Sequence, residues 1–391
     1  MAPFAPPPVL PGAAELFQLL RDGRPRTRAE LAAITGLARS TVAARVESLM
    51  AIGLVAPAGD AVSTGGRPPS QFALNPAGRL VIAVDLGAQH GDVGIADLNG
   101  RILNRHRQVM NIGRGPEHVL SWVLATVHDL LGSIGREPKD LVGLGMGVPG
   151  PVEHETGRPS NPPIMPGWDG FDIPAWFSER LPVPVLVDND VNIMALGEQR
   201  VAWPDVKDFM LVKVATGIGS GIISSGVLQR GGQGTAGDIG HIQVDHDQQV
   251  LCRCGSTGCL EAVAAGPAIA RQLRTDGEAV ETSMDVVELA RSGNTAAIQA
   301  VRQAGRALGE VLSICVNIVN PNVIAIGGTM AEAGEHLIAG VREVVYAKSI
   351  PLATRHLVIA QSKAGREAGL IGAATLAAEH ALGPIALESL R

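Results

Sequence analysis

The sequence has no apolar run of about 18 residues, the length that a helix needs to cross a bilayer. Its first residues, MAPFAPPPVLPG, are rich in proline and lack the basic segment with which a secretion signal begins. We therefore expect a cytoplasmic protein with no membrane partner. Apolar residues still make up 46% of the 391 residues, which is enough for hydrophobic cores in two or three domains.

The chain also lacks an excess of basic residues. Its net charge of -6 argues against a uniformly basic nucleic-acid-binding protein. The charge is unevenly distributed, however, because residues 1–70 contain seven Arg and five acidic residues, which gives +2 and leaves -8 for the rest. A basic head on an acidic body is typical of a DNA-reading module joined to a small-molecule module.

Cysteine is scarce, yet three of the four cysteines lie within eight residues. Cys252, Cys254 and Cys259 follow His241 along the chain, and two glycines in the same segment allow tight turns. Three thiolates and one imidazole are the ligand set of a closed tetrahedral zinc site. The sequence therefore predicts a structural zinc ion held by these four residues. Free thiols, or a disulfide between two of them, are the alternative.

Acidic residues stand at both ends of the predicted metal segment. A metal ion that ties His241 to the cysteine loop would also fix Asp238 and Glu261, whose carboxylates can accept hydrogen bonds from neighbouring hydroxyls of a sugar. The segment AGDIGH, followed by CRCGSTGCLE, resembles the signature of the ROK family of repressors, open reading frames and kinases. The resemblance implies that His241 binds both zinc and sugar, and that Asp238 and Glu261 bind sugar hydroxyls. Asp238 departs from the family pattern, which usually has Glu, so its side chain is one methylene shorter.

The resemblance also implies a fold. We expect an α/β protein in which an N-terminal winged helix-turn-helix precedes a two-lobed, actin-like ATPase (ribonuclease-H-like) sugar-kinase fold. The predicted units are a flexible N-terminus (1–12), a winged helix-turn-helix DNA-binding domain (13–76) and a ROK sugar-binding or kinase-like domain (79–391). The last divides into a first lobe, about 79–190 plus a C-terminal helix at about 365–385, and a second lobe, about 191–364.

The first seventy residues predict the winged helix-turn-helix from their own pattern. Apolar residues at helical spacing in AAELFQLLRDG are followed by a capping box at Thr27 and Glu30. A third helix places Val42, Val46 and Leu49 on its inner face. The segment GLVAPAGDAVSTGGRPPSQFALNP then predicts a β-hairpin wing, and its second half resembles the linker of ROK-family repressors. A small three-helix protein-interaction domain is the alternative.

The N-terminal end of the third helix is the end that enters the major groove in helix-turn-helix proteins. Arginine there can pair with guanine, and serine or threonine can reach phosphates or base edges. An arginine at the tip of the wing usually meets the minor groove or the backbone. The predicted DNA-binding residues are Arg28, Arg39, Ser40, Thr41, Arg45 and Arg67.

Glycine-rich turns predict a second small-molecule site. In actin-like sugar kinases the first phosphate loop has the form DxGxT, often followed by Lys. This chain keeps Asp85 and Gly87 but has Gln89 and His90 where the hydroxyl and the ammonium are expected, so an ordinary hairpin turn is as well supported as nucleotide binding. ATGIGSG resembles the second phosphate loop, and a later strand end resembles the adenosine turn. The candidate nucleotide-binding residues, which we regard as vestigial, are Asp85, Gly87, Thr216, Gly217, Gly219, Gly327 and Gly328.

The segment VPVLVDNDVNIMALGE predicts a strand that runs into a helix, with polar residues at the corner where a cleft opens. The resemblance aligns Asn189 and Asp190 with the Asn-Asp pair that binds sugar in the family, whose aspartate is the general base in the kinases. Capping of the helix by either residue is the alternative. Asn161 lies in a loop that resembles the family's sugar-covering loop. The predicted sugar-binding residues are Asn189, Asp190, Asp238, His241, Glu261 and Asn161.

Together these observations favour a sugar-responsive transcriptional regulator, and among regulators a repressor of carbohydrate-metabolism genes. We expect it to bind a palindromic double-stranded operator as a homodimer or tetramer, and a monosaccharide or sugar derivative in a zinc-stabilised pocket. The alternative is an ATP-dependent sugar kinase of the ROK glucokinase or hexokinase type with a DNA-binding head. That enzyme would use Mg-ATP and Asp190 as catalytic base. Asp190 and ATGIGSG favour the kinase, and Gln89 and His90 oppose it.

Overall fold

The computed structural model describes residues 9–60, 68–244 and 250–389. The first of these ranges, with residues 68–74, forms a small head of three helices and a three-stranded sheet. Its elements are α1 (Ala13–Gln18), β1 (Arg26–Thr27), α2 (Arg28–Thr35), α3 (Arg39–Ala51), β2 (Val55–Asp60) and β3 (Ser70–Leu74).

Local sequence explains the helices of the head. Thr27 and Glu30 form the predicted capping box, since each side chain accepts the backbone N–H of the other residue, at 3.2 and 2.7 Å. Val42, Val46 and Leu49 are fully buried on the inner face of α3, as predicted. β2 and β3 pair antiparallel as the wing, and β1 adds a third strand that the sequence pattern had not indicated.

Two larger lobes follow the head. The first contains β4 (Leu80–Leu86), β5 (His90–Asp97), β6 (Ile102–Val109), α4 (Pro116–Ser133), β7 (Leu141–Val148), β8 (Val152–Glu153), β9 (Arg158–Pro159), α5 (Ile173–Ser178) and β10 (Val185–Asn189). A central helix comes next, α6 (Asp190–Ala202).

The second lobe and the C-terminal helices complete the described chain. Their elements are β11 (Phe209–Val214), β12 (Ile218–Ser224), β13 (Val227–Gln229), α7 (Leu260–Ala264), α8 (Gly266–Thr275), α9 (Ser283–Arg291), α10 (Thr295–Val319), β14 (Val323–Gly327), α11 (Glu335–Lys348), α12 (Pro351–Thr354), β15 (Val358–Gln361), α13 (Ala368–Ala381) and α14 (Pro384–Ser389). Among the described helices, none is both long enough and apolar enough to cross a membrane.

The two large sheets have the same topology. The first has the order β10-β7-β4-β5-β6 and the second the order β13-β12-β11-β14-β15. In each sheet, three consecutive strands form an antiparallel meander, and the two later strands add in parallel beside the first one. The sequence shows no internal repeat, so this duplication is visible only in the strand order.

Helix α6 lies between the two sheets and packs very closely against α13. A Cβ on Gly197 of α6 would overlap the carbonyl oxygen of Ala368, and a Cβ on Gly372 of α13 would overlap that of Ile193. Glycine at both positions therefore lets the two backbones touch. The opposite face of α6 packs on the second sheet, through Val191 and other apolar side chains.

Helix α13 joins the lobes to the head. Its residues Ala377 and Ala381 belong to the same hydrophobic core as Leu16 and Phe17 of α1, and this core continues into the first sheet. The Gln18 side-chain amide also donates to the carbonyl oxygen of Leu382, at 2.8 Å. The head therefore shares a continuous core with the first lobe and is not separated from it by a linker.

Candidate functional site

A cavity of about 200 Å³ opens between the two lobes. Five of the six predicted sugar-binding residues line it, although they come from three separate parts of the chain. Two stand at the start of α6, two lie in the loop that follows β13, and one lies on α7. These five residues are Asn189, Asp190, Asp238, His241 and Glu261. Their binding roles remain predictions, but the structure brings them to one place.

Asn189 and Asp190 are positioned by the start of α6. The Asn189 side chain caps the helix by accepting the Val191 N–H at 3.0 Å, and it donates to the carbonyl oxygen of Gly150 at 2.9 Å. The capping alternative is therefore correct for Asn189, and capping fixes the side chain at the cavity wall. Asp190 is buried in the first turn of the helix.

A lysine that sequence reasoning missed contacts Asp190. Lys213 of β11 donates to Asp190 Oδ2 at 2.6 Å, and their side chains are only 23% and 8% exposed. Burial lowers the pKa of Lys213, but the charge and hydrogen bond of Asp190, together with the charge of Asp85, outweigh it and raise the pKa above its usual value. The available signal was a single lysine in the otherwise apolar strand FMLVKV.

Glu261 connects the cavity to the hairpin between β11 and β12. Its Oε2 accepts the Ile218 N–H at 3.1 Å and lies against Gly217, where a Cβ would crowd it. Asp238 is exposed at the start of a short 3-10 turn that ends at His241. The two carboxylates thus approach the cavity from different elements.

The four predicted metal ligands form a compact cluster. The donor atoms of His241, Cys252, Cys254 and Cys259 all lie within 4.8 Å of one another. His241 Nδ1 is 3.6 Å from Cys252 Sγ, and Cys254 Sγ is 3.7 Å from Cys259 Sγ. A tetrahedral zinc ion would give edges of about 3.6 Å for a nitrogen-sulfur pair and about 3.8 Å for two sulfurs. These separations fit a metal ion and exceed a disulfide bond.

The thiols differ in their environments. Burial, with the neighbouring cysteines, raises the pKa of Cys259 to about 12, and burial also raises the pKa of Cys252. A hydrogen bond from the Ser256 backbone lowers the pKa of Cys254. The loop turns at Gly255 and Gly258, both with positive φ, which is the role predicted for these glycines.

A second cavity of about 410 Å³ lies next to the first. Five of the seven candidate nucleotide-binding residues line it, namely Asp85, Gly87, Thr216, Gly327 and Gly328. Gly217 and Gly219 line the first cavity instead. Lys213, Thr216 and Ala88 line both cavities, so Lys213 stands at their junction.

His90 fills the space over the first glycine turn. A Cβ on Gly87 would overlap the His90 imidazole, so the ring lies directly against this glycine. The ring also lies near Asp85, with 3.6 Å between His90 Nε2 and Asp85 Oδ2. The sequence indicated a missing hydroxyl and ammonium, but not that the replacement would occupy the turn.

Asn161 is not among the residues that line the first cavity. Its neighbours Pro163 and Ile164 do line it, whereas Asn161 has a left-handed backbone and its N–H donates to Asp169 Oδ1 at 2.7 Å. This turn directs the chain so that the two later residues reach the cavity. The structure therefore does not place Asn161 with the other predicted sugar-binding residues.

The proposed DNA-reading face lies at the start of α3. Arg39 and Ser40 are exposed there, and Thr41 is partly exposed. Arg45, which is also predicted to bind DNA, is less exposed than Arg39 and Ser40. It is half-buried, and its guanidinium occupies the space that a Gly12 side chain would need. The N-terminal segment thus packs against α3, as the Leu10 N–H to Ser48 Oγ hydrogen bond of 3.1 Å also indicates.

Arg28 is engaged inside the head. Its guanidinium lies 4.8 Å from the centroid of the Phe72 ring, and it forms an ion pair of 3.4 Å with Glu47 of α3. These contacts join α2 to the wing sheet and to α3, so Arg28 is less free for DNA than Arg39. The wing-tip candidate, Arg67, lies outside the described residues, as do residues 1–8 of the predicted flexible segment.

Comparisons with known proteins cover both the head and the lobes. The xylose repressor of Bacillus spizizenii is 28% identical over 369 residues, which is 94% of each chain. The crystal structure of a ROK family transcriptional regulator, described as a homolog of the Escherichia coli MLC protein, matches with a TM-score of 0.82 and 25% identity, over 96% of this chain and 97% of that one. A ROK family glucokinase from Streptomyces griseus, solved with glucose and AMPPNP, matches with a TM-score of 0.66 and 29% identity, over 76% of this chain and 99% of the enzyme.

Family models match the same two parts. A winged helix-turn-helix DNA-binding model matches residues 16–56, and the ROK family model matches residues 81–380. The predicted fold, a winged helix-turn-helix followed by a two-lobed, actin-like sugar-kinase fold, is thereby confirmed. The chain belongs to the ROK family.

Proposed function

We propose that the chain is a sugar-responsive transcriptional repressor that binds its sugar without phosphorylating it. The observation that carries this proposal is the ion pair of Lys213 with Asp190, which engages the carboxylate that a ROK kinase would need as its base. The chain also combines a complete helix-turn-helix head with a sugar-kinase-like body. The similarity to a xylose repressor over nearly its whole length supports the same function.

The ion pair opposes phosphoryl transfer for a chemical reason. A general base must accept the proton of the attacking sugar hydroxyl, and Asp190 Oδ2 already accepts a hydrogen bond from the Lys213 ammonium at 2.6 Å. His90 adds a second obstacle, because its ring lies against Gly87 in the turn that the family resemblance assigns to a nucleotide phosphate. Binding of a sugar by hydrogen bonds needs neither step.

The cavity suits a small polyol. Asp190, Asp238 and Glu261 supply carboxylate oxygens, and Asn189 supplies an amide, so the wall can accept several hydrogen bonds from neighbouring hydroxyls. We assign a zinc ion to the histidine and cysteine cluster. It would hold His241 at the cavity and fix the loop that begins near Asp238, with Glu261 two residues after Cys259. We regard this zinc as structural, since all four positions of its tetrahedron have protein ligands.

The head would read a palindromic operator as a homodimer, or as a tetramer of two such pairs, in the cytoplasm. Half-sites one helical turn apart require two heads related by a two-fold axis. The exposed start of α3 carries Arg39, Ser40 and Thr41. Contacts from arginine to phosphates would make the affinity for DNA strongly dependent on salt concentration.

Sugar binding can influence the head through α6 and α13. Asp190 begins α6 at the cavity, and α6 touches α13 backbone to backbone at Gly197 and Gly372. The far end of α13 lies in the core that contains α1 of the head. A small shift of α6 on binding sugar would therefore be passed to the head, because the contact between the helices has no flexible side chains to absorb it.

The second candidate function is an ATP-dependent sugar kinase with a DNA-binding head. The second cavity favours it, because glycine turns at Gly87, Gly327 and Gly328 surround a space of about 410 Å³ beside the sugar cavity. Such an enzyme would bind Mg-ATP there, and Asp190 would be its base.

The two candidate functions differ in whether the protein converts ATP to ADP when sugar is present. With a panel of pentoses and hexoses and Mg-ATP, we expect ADP formation no higher than in a sugar-free blank, because Asp190 is paired with Lys213. The same panel should contain a sugar that raises the melting temperature, since a ligand of the folded state stabilises it. Asp190→Asn should lose that stabilisation. ADP release that requires sugar and disappears in Asp190→Asn would show that the chain is a kinase.

Replacement of Arg39 should weaken DNA binding and leave sugar binding intact. With a duplex selected from random sequences by the wild-type protein, we expect Arg39→Ala to lose about 1–3 kcal/mol of binding free energy in gel-shift titrations. Arg355→Ala, which removes an exposed arginine of the second lobe, is the matched control and should bind normally. An unchanged operator affinity in Arg39→Ala would contradict the assignment of α3 as the recognition helix.

Removal of one thiol should release the metal. We expect one zinc per chain by elemental analysis of the wild type, and much less in Cys252→Ser, with a loss of sugar-induced stabilisation in the same variant. Cys315→Ser is the control, because Cys315 lies on α10, outside the cluster. A wild-type protein without zinc, purified without chelators, would refute the metal assignment.

A further inference from the structure

Behind the first cavity, an ion pair joins the two lobes. Arg230 Nε lies 2.6 Å from Asp188 Oδ2, and their side chains are 19% and 4% exposed. Asp188 belongs to β10 of the first lobe, whereas Arg230 directly follows β13 of the second. Neither residue lines the cavity itself.

The Asp188 carboxylate is fully engaged by its neighbours. Its second oxygen accepts the Asn192 side-chain amide and the Asn189 N–H, both at 2.8 Å. His154, from the turn after β8, approaches within 4.0 Å of the oxygen that Arg230 contacts. A buried carboxylate with partners on both oxygens has one well-defined orientation, and it transmits that orientation to the backbone of the next residues.

Each partner of the ion pair is close along the chain to residues that line the cavity. Asp188 directly precedes Asn189 and Asp190 at the start of α6. Arg230 begins the loop that leads to Asp238, and its carbonyl oxygen accepts the Ala236 N–H at 3.0 Å. The same loop lies against the first lobe at Gly234, where a Cβ would overlap the carbonyl oxygen of Val152.

We propose that the ion pair between Arg230 and Asp188 is a positioning device that sets the separation of Asp190 and Asp238 across the cavity. This proposal rests on the proposed sugar-binding function of the cavity. The two carboxylates come from different lobes, and a sugar must contact both to be held between them. Arg230 fixes the loop that carries one carboxylate to the strand end that carries the other, so its loss alters the cavity without removing any residue from its wall.

Arginine suits this role better than lysine. Its planar guanidinium approaches the carboxylate through one fixed N–H direction, whereas an ammonium would bring the charge on a flexible stem without that direction. Removal of one partner from a buried ion pair leaves the other charge unpaired. Arg230→Lys should therefore keep the charge balance and lose part of the geometry, and Arg230→Gln should lose both.

Hydrogen exchange tests the positioning without a ligand. In the zinc-loaded full-length protein, we expect faster amide exchange in Arg230→Gln than in the wild type at residues 189–192 and 231–241, with Arg230→Lys between them. The surface pair of Arg306 with Glu343 supplies the control, because Arg306→Gln removes an exposed ion pair between α10 and α11, neither of which contains these segments. Unchanged exchange in both segments of Arg230→Gln would overturn the proposal.

Titration with D-xylose and with D-glucose tests whether loss of the ion pair weakens sugar binding. For whichever sugar binds the wild type, we expect Arg230→Gln to lose about 10-fold in affinity, a loss of the size seen when an orienting residue is removed. Asp188→Asn should weaken binding similarly, and the double variant should lose less than the two single losses combined. Additive losses, or wild-type affinity in Arg230→Gln, would refute the proposal.

The two experiments separate this proposal from the proposed function. If no sugar of the pentose and hexose panel binds the wild type but exchange responds as expected, positioning is supported and the sugar assignment has failed. If sugar binds and exchange does not respond, the function stands and the ion pair is not the positioning device. Should Arg230→Gln fail to fold, Arg230→Lys with Arg306→Lys as control gives the same comparison, with a smaller expected change.

Discussion

The close contact of α6 with α13 is the constraint on which the rest of the structure depends. Gly197 and Gly372 let two backbones meet where any side chain would overlap a carbonyl oxygen. On one side, α6 begins with a residue of the first cavity. On the other side, α13 ends in the core of the head. The cavity and the DNA-binding head are thus joined by two rigid elements with an incompressible contact between them.

The same helix also carries a buried carboxylate that connects it to a segment at the second cavity. Glu198 of α6 is fully buried, and its carboxylate accepts the Ser362 hydroxyl at 2.7 Å and the N–H groups of Lys363 and Ala364, each at 2.8 Å. Three donors compensate the burial of one carboxylate. Ser362 lines the second cavity, so α6 positions parts of both cavities.

The cleft retains the frame of a kinase with altered electrostatics. The two sheets have one topology, and the first hairpin turn of each sheet contributes to the lining of the second cavity. In this chain the first turn is covered by His90, and Lys213 engages Asp190 between the two cavities. A site that needs only to bind sugar can keep such an ion pair, because a carboxylate has two oxygens and can accept further hydrogen bonds.

Much of the fold, and the composition of the site, could be predicted from the sequence. The capping box at Thr27 and the cysteine spacing after His241 are local patterns, and both appear in the structure as expected. Contacts that depend on how distant segments meet could not be predicted. The pairing of Lys213 with Asp190 depends on how β11 and α6 are placed relative to each other. The position of Arg45 over Gly12 depends on the path that the N-terminal segment takes.

The repeated sheet topology could not be predicted from the sequence, for a related reason. Strand order is set by which apolar strands pair, and many different apolar sequences can form the same sheet. Asn161 shows how backbone conformation limits a prediction made from residue type. Its residue type suited sugar binding, but a left-handed backbone at that position directs the next residues, and not Asn161, to the cavity.

The most direct test of the account is to measure the linkage between sugar binding and operator binding. The operator affinity should be measured with and without saturating sugar, and the sugar affinity with and without saturating operator. Because coupling between two sites is reciprocal, we predict that both affinities change by the same factor, about 5-fold to 150-fold. Equal sugar affinity in the free and the operator-bound protein would contradict the claim that α6 and α13 connect the cavity to the head.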